Sequence, residues 1–149
     1  MHCTYKLRIL DRQKNTFGLV NAYTLEDAPI PHNFNPIKHK MFNQDIFTYE
    51  NGNVNILHSS ARSMKIIPAV LALENSQTFG RFKDKFLYKC IPDDKRLPIF
   101  LIPYKIKLGF SKSIKNKYVV FEFRSWEGKH PIGSLNQTLG DVNKLDAFY

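Results

Sequence analysis

The chain is built mainly from short apolar runs in which hydrophobic and polar residues alternate, separated by turn residues every ~8–12 positions. Runs of this kind, rich in β-branched and aromatic side chains, are typical of β-strands. We predict an all-β fold class with little helix and with these strands: Tyr5–Leu10, Phe17–Tyr23, Ile46–Tyr49, Val54–Leu57, Lys65–Leu73, Gly80–Phe82, Phe86–Cys90, Ile99–Ile106, Tyr118–Phe123 and Ile132–Asn136.

The connections between these runs carry turn signals. Asn51-Gly52-Asn53 predicts a hairpin turn, and Asp84-Lys85 predicts a tight turn between Phe82 and Phe86. The segment Thr24–Lys40, which contains three prolines, predicts a long loop. Five short strands in ~70 residues match the size and pattern of an OB-type barrel, and an SH3-like barrel satisfies the same count.

The positive charge is unevenly distributed along the sequence. The chain carries 22 Lys and Arg against 13 Asp and Glu, a formal net charge of +9. Residues 1–75 hold 8 basic and 6 acidic residues (+2), and residues 76–149 hold 14 and 7 (+7). A short echo, Thr16-Phe17-Gly18 and Thr78-Phe79-Gly80, fits the same division. We predict two tandem OB-like five-stranded domains, 1–75 and 76–149, and a polyanionic partner, nucleic acid first.

Composition narrows the class of protein. The 149 residues are 43% hydrophobic and 13% aromatic, which is the range of a globular chain. Cys3 and Cys90 support neither a disulfide framework nor a zinc site, and no apolar stretch reaches the length of a signal peptide or a membrane span. We expect an intracellular protein, cytoplasmic or nuclear. High usage of Asn, Lys, Ile and Phe is typical of an AT-rich genome, viral or protist.

The sequence shows no recognisable catalytic constellation. Asp93-Asp94 is followed by Lys95-Arg96, so we interpret it as a turn whose acids pair with neighbouring bases rather than as a metal site. Glu26-Asp27 lacks a third carboxylate or a histidine at metal spacing. The histidines are scattered, and the glycines form neither a phosphate loop nor a dinucleotide fingerprint. We predict no catalytic residue, metal or cofactor in this chain.

Basic residues interleaved with aromatic residues are the main indication of function. Along the run 79–89, Phe79, Arg81 and Lys83 share one strand face. Cations on such a face neutralise phosphates and exposed rings stack on bases, although a core-facing Phe stripe beside a solvated Lys stripe explains the same pattern. For Trp126 the alternative is a structural role as an anchor of the hydrophobic core. The predicted RNA-binding residues are the rings Phe79, Phe82, Tyr88 and Trp126 and the cations Arg81, Lys83, Lys85, Lys95, Arg96, Lys105, Lys107 and Arg124.

From Pro92 onward the residues resemble a known domain. In order, they are an Asp-Lys-Arg-hydrophobic-Pro turn and a hydrophobic strand, then Trp126, Pro131-Ile132-Gly133 and Leu139-Gly140-Asp141. This order is similar to the second cold-shock domain of RNB-family exoribonucleases, a family that includes ribonuclease II, ribonuclease R and the exosome nuclease. The resemblance covers residues 80–141, and it implies an OB barrel that guides single-stranded RNA to a nuclease channel.

The first half is similar to the family's first cold-shock domain at Phe17–Val20 and Phe42–Phe47. Together the halves resemble the tandem cold-shock region that precedes the catalytic domain. The family's Asp-x-Asp-Asp motif does not occur here, so we expect either a fragment of a longer enzyme or a free-standing RNA-guiding protein. The expected partners are single-stranded RNA and a catalytic nuclease domain in the same or another chain. Two alternatives stay open: an interaction module whose basic surface meets an acidic protein, and a self-sufficient nuclease whose acids meet only in space.

Overall fold

A computed structural model describes residues 3–11, 16–74, 78–106 and 115–142. Nearly all of its regular structure is β-strand, which confirms the predicted all-β fold class. No helix in the described ranges is long and apolar enough to cross a membrane. The elements are β1 (Thr4–Asp11), β2 (Thr16–Asn21), β3 (Asp27–Ala28), β4 (Ile46–Glu50), β5 (Asn53–His58), α1 (Ser60–Ser63), β6 (Ile67–Leu71), β7 (Arg81–Phe82), β8 (Lys85–Pro92), β9 (Phe100–Tyr104), β10 (Lys117–Ser125) and β11 (Ile132–Asp141).

The chain divides into two compact units. The first consists of Met1–Ser63 with Lys95–Pro98, and the second of Met64–Asp94 with Ile99–Tyr149. The net charges of these two units differ from those of the two sequence halves. The first unit carries 9 Lys and Arg against 5 Asp and Glu, a net charge of +4, and the second carries 13 against 8, a net charge of +5. The concentration of charge in residues 76–149 therefore does not describe the folded units.

The first unit contains a five-stranded antiparallel sheet in the order β3-β2-β1-β4-β5. Along β1 the buried side chains of Leu7 and Ile9 alternate with Lys6 and Arg8, which lie on the outer face. Asn51-Gly52 joins β4 to β5 with φ values of 53° and 81°, which confirms the predicted hairpin turn. Within the described residues β3 and β5 do not pair, so this sheet is an open barrel.

The predicted loop at Thr24–Lys40 supplies part of the first unit's core. Phe34 is 6% exposed and stacks on Phe47 of β4, with 5.4 Å between the ring centroids. It also meets Tyr49 of β4 edge-on at 5.6 Å and Phe17 of β2 at 5.8 Å. An aromatic side chain from the loop thus fills the interior of a sheet whose third strand has only two residues.

The second unit contains a closed barrel. Its five barrel strands follow the order β6-β8-β9-β11-β10 and return to β6, and β7 extends β8 as a hairpin. The pairing of β9 with β11 is parallel and the others are antiparallel. Numbered in chain order, the five strands follow 1-2-3-5-4-1, which is the order of an OB barrel. The first unit has the same order, with the pairing between its third and fifth strands left open.

The structure explains why glycine occupies position 133 of the Pro-x-Gly motif and position 140 of the Leu-Gly-Asp motif. A Cβ at Gly133 would lie 2.7 Å from Cδ2 of the fully buried Phe121, so only glycine fits there. Gly140 has a φ of 152° next to an irregularity in the pairing of β10 with β11. The following residue, Asp141, accepts a hydrogen bond from Nζ of Lys117 at 2.6 Å, which lowers the pKa of the Asp141 carboxyl. The Pro-x-Gly and Leu-Gly-Asp motifs therefore stabilise the barrel itself.

All ten predicted strands are present with shifted ends, whereas β3 and α1 were not predicted. The strand predicted at Lys65–Leu73 was assigned to the first half, and this assignment is wrong, because β6 pairs with β8 and β10 of the second unit. The predicted division followed the charge count and the Thr-Phe-Gly echo, but each copy of the echo comes after the first strand of its unit, β1 or β6. The units divide after Ser63 rather than between residues 75 and 76.

Candidate nucleic-acid interface

The hairpin of β7 and β8 lies in the connection between the first and second barrel strands of the second unit. Phe82 pairs with Lys85, so Lys83 and Asp84 form a two-residue turn, one position earlier than predicted. Of the two turn residues only Lys83 has a positive φ, 59°, which is the pattern of a type II′ turn. That position favours glycine, so the lysine is held in a strained conformation. In OB barrels this connection is one of two loops that bind oligonucleotides.

A groove of about 250 Å³ runs along this hairpin and the neighbouring strands of the barrel. It brings together three exposed cations from two elements, Lys83 and Lys85 of the hairpin and Arg124 of β10. Phe82, 42% exposed, lines the same groove, and so does Asp84, the one acid among its lining residues. Four of the predicted site residues therefore meet in one place, although Arg124 is about 40 positions from Phe82, Lys83 and Lys85 in the sequence.

Three rings of the predicted run carry a cation over their faces. The distances from the charged group to the ring centroid are 5.1 Å for Arg81 over Phe86, 5.7 Å for Lys83 over Phe82 and 5.0 Å for Lys89 over Phe79. An exposed contact of this kind contributes about 0.5–1 kcal/mol. It holds each ring and its cation together on the same part of the surface.

Two of the predicted stacking rings are inside the barrel. Tyr88 is 5% exposed and contacts Tyr104 edge to face at 6.5 Å, and Trp126 is 7% exposed. Tyr88 shares its strand face with the fully buried Cys90, since residues two apart on β8 point the same way. A buried ring cannot stack on a base, so the stacking role predicted for Tyr88 and Trp126 is corrected. Trp126 takes the alternative that the sequence left open, a core anchor.

The remaining predicted cations do not line the groove. Lys95 and Arg96 are exposed but belong to the short segment 95–98, which forms part of the first unit. Lys105 is exposed immediately after β9. Lys107 lies outside the described residues. Of the predicted cations, the groove of the second unit therefore brings together Lys83, Lys85 and Arg124, and the roles of the others stay predictions.

Sequence reasoning missed three residues of this region. Phe86 is 45% exposed under the guanidinium of Arg81, although the alternation along β8 places it on the same side as the barrel interior. Pro103 of β9 and Ser134 of β11 line the groove. They come from strands whose pairing is set by the barrel, so no local sequence signal identifies them.

One titratable group of this unit, His130, is half-buried and has cations as neighbours. Burial, followed by the nearby amines of Lys129 and Lys89, lowers the pKa of the His130 imidazole. Two amines beside an imidazole favour its neutral form. No three His, Cys, Asp or Glu side chains of the described residues lie close enough together to hold a metal ion.

The closed OB barrel, the loop between its first two strands and the basic groove occur together in one unit, and the comparison with known families points to the same unit. Residues 87–148 match the Dis3-like cold-shock domain 2 (CSD2). The resemblance predicted from residues 80–141 is confirmed for this part of the chain. A cold-shock domain of this type has an OB fold and typically binds RNA. No curated protein matches the sequence.

The matched residues contain most of β8 and all of β9, β10 and β11. Apart from Lys95–Pro98, which belongs to the first unit, the matched residues lie in the second unit, and they include no strand of the first. The match contains Pro103, Arg124 and Ser134 of the groove, whereas the tip of the hairpin precedes it.

Proposed function

We propose that the chain binds single-stranded RNA through the groove of the second unit. One observation carries the proposal: Lys83, Lys85 and Arg124 meet beside the exposed ring of Phe82, in a barrel whose residues match a cold-shock domain. Three cations without a stacking ring would fit any polyanion. The exposed ring favours nucleic acid, and it favours single strands because their bases are free to stack.

Each side chain has a defined role in this proposal. The guanidinium of Arg124 presents a planar fork that binds two phosphate oxygens at once, whereas Lys83 of the turn and Lys85 of β8 act as point charges on either side of Asp84. Phe82 offers its ring to a base, and each stacked base contributes roughly 1–3 kcal/mol. As the family resemblance implies, the bound strand would be guided to a catalytic nuclease domain in the same or another chain.

The test compares labelled single-stranded RNA with duplex RNA of the same sequence by fluorescence anisotropy. We expect tighter binding of the single strand, and Phe82→Ala should weaken it by roughly 1–3 kcal/mol because one stacked base is lost. Tyr23→Ala is the matched control, since Tyr23 is an aromatic residue of the first unit with 81% exposure. Equal losses from the two variants would show that Phe82 does not stack on RNA.

Competition with polyglutamate separates this function from the interaction module. An acidic protein partner requires only charge, so polyglutamate would then displace RNA at equal charge concentration. Under the proposed function polyglutamate competes weakly, because it has no bases to stack on Phe82.

A further inference from the structure

The first unit has a polar groove of its own. The groove has a volume of about 330 Å³ and lies on the outer side of β1. Lys6 and Arg8 of that strand, Asn43 and Gln44 of the segment before β4, and Arg96 line it. Among its lining residues three are cations and none is acidic. The groove thus gathers three of the nine Lys and Arg residues of the first unit.

The alternation along β1 places the two cations together. Leu7 and Ile9 point inward and are 0% and 8% exposed, so Lys6 and Arg8 stand on the outer face, roughly 7 Å apart along the strand. The rise of a strand thus sets the spacing of the two charges. Because both lie on a regular strand, their backbone positions and the face they share are set before any ligand arrives.

Backbone hydrogen bonds tie the opposite wall of the groove to β1. The amide N–H of Gln44 donates to the carbonyl of Leu7 at 2.8 Å, and the N–H of Leu7 donates to the carbonyl of Asp45 at 2.9 Å. The N–H of Ile9 donates to Oδ1 of Asn43 at 2.8 Å. That bond occupies the carbonyl oxygen of Asn43, so its NH₂ group is the part left to bind a ligand, and an NH₂ group is a donor suited to an anion.

The carboxylate of Asp45, next in the chain, does not oppose a bound anion from the groove. Its side chain is fully buried and accepts hydrogen bonds from the N–H of Phe42 at 2.8 Å and from the hydroxyl of Ser59 at 2.5 Å. Burial raises the pKa of this carboxyl above its ordinary value. Asp45 is therefore a positioning residue that holds the segment 42–45 in place behind the groove.

We propose that this groove binds phosphate groups. Arginine, lysine and amide NH₂ groups on a fixed wall are the donors that recognise phosphate oxygens. OB barrels bind oligonucleotides on the face of their second and third strands, and no residue of β2 or β3 lines this groove, so the site is separate from that face. The phosphate belongs either to an RNA backbone or to a free polyphosphate, and only the RNA source rests on the proposed function.

Calorimetric titration with tripolyphosphate tests the site in the full chain carrying Lys85→Gln and Arg124→Gln, which suppress the groove of the second unit. Adding Arg8→Gln should weaken binding about tenfold or more, because a charge-assisted hydrogen bond is lost. Lys38→Gln is the matched control: Lys38 is an exposed cation of the same unit outside the groove, and its loss should change affinity less than twofold. Equal effects of the two substitutions would overturn the proposal.

The source of the phosphate is identified by titrating labelled single-stranded RNA into the full chain in which Lys85 and Arg124 are unchanged, with and without Arg8→Gln. If Arg8→Gln weakens RNA binding as well as tripolyphosphate binding, the site holds an RNA phosphate. If only tripolyphosphate binding falls, the site holds a free polyphosphate. A chain that binds no RNA would refute the proposed function alone, since the tripolyphosphate titration would still decide this site. The proposal fails by itself if Arg8→Gln changes neither affinity while Lys85→Gln weakens RNA binding.

Discussion

Lys83→Gly should separate the stability of the hairpin from its binding role. Lys83 occupies the first central position of the turn between β7 and β8 with a φ of 59°, and glycine adopts that conformation without a steric penalty. The substitution therefore removes strain and removes a cation of the groove at the same time. Lys83→Ala is the matched variant, because it removes the same cation and keeps the strain.

The expected magnitudes follow from the contacts of this residue. A side chain in the left-handed region costs roughly 1–2 kcal/mol, and the extra backbone freedom of glycine in the unfolded chain offsets about 0.5–1 kcal/mol of the relief. Both variants lose the contact of Lys83 with the Phe82 ring, about 0.5 kcal/mol at an exposed site. Lys83→Gly should thus be more stable than Lys83→Ala by about 0.5–1 kcal/mol, or several degrees in Tm for a unit of this size.

Thermal melting and RNA titration over a range of salt concentrations provide the two readouts. Both variants should lower the salt slope of single-stranded RNA binding by about 0.7, the contribution of one phosphate contact. If Lys83→Gly melts below Lys83→Ala, the turn is not strained as described. If neither variant changes the slope, Lys83 does not contact a phosphate.

Three further predictions concern the two cores. Gly133→Ala should lower the free energy of unfolding by about 1–3 kcal/mol, because its methyl group would meet the buried Phe121 ring; a denaturation midpoint equal to wild type would contradict this. Trp126→Ala should cost about 3–5 kcal/mol while Trp126→Phe keeps RNA affinity, and an affinity loss in a stable Trp126→Phe variant would return this ring to the interface. Burial, followed by Lys38, lowers the pKa of His39 below 6.5, so the folded state resists its protonation and stability should fall as the pH drops below about 6.5. His39→Phe should flatten that part of the profile of stability against pH, and an unchanged profile would exclude His39 as the cause.

The strands and tight turns of this protein are visible in its sequence because they depend on local pattern. The hairpin at Asn51-Gly52 was predicted from two residues that tolerate positive φ, and β1 was predicted from alternation that the burial of Leu7 and Ile9 confirms. The same alternation placed Lys6 and Arg8 on one outer face. Net charge does not indicate a binding role for these two residues, because residues 1–75 carry a net charge of only +2.

What the sequence could not provide depends on contacts between distant residues. The strand β6 belongs to the second unit because it pairs with β8 and β10, and nothing in residues 67–71 indicates that choice. Phe34 lies in a proline-rich loop, yet it fills a core because β3 is too short to do so. Tyr88 lies on β8, a strand of the closed barrel, whereas Phe82 lies on β7, the hairpin extension outside it, so the burial of Tyr88 follows from topology rather than composition.

The salt dependence of single-stranded RNA binding tests the central claim most directly, with wild type compared with the double variant Lys85→Gln, Arg124→Gln. The control, Lys65→Gln with Lys129→Gln, makes the same change in net charge at exposed positions of the second unit outside the groove. The account predicts that the groove variant lowers the slope of log affinity against log salt by about 1.4 and that the control keeps the wild-type slope. Equal slopes for the groove variant and wild type, or an equal loss in the control, would contradict it.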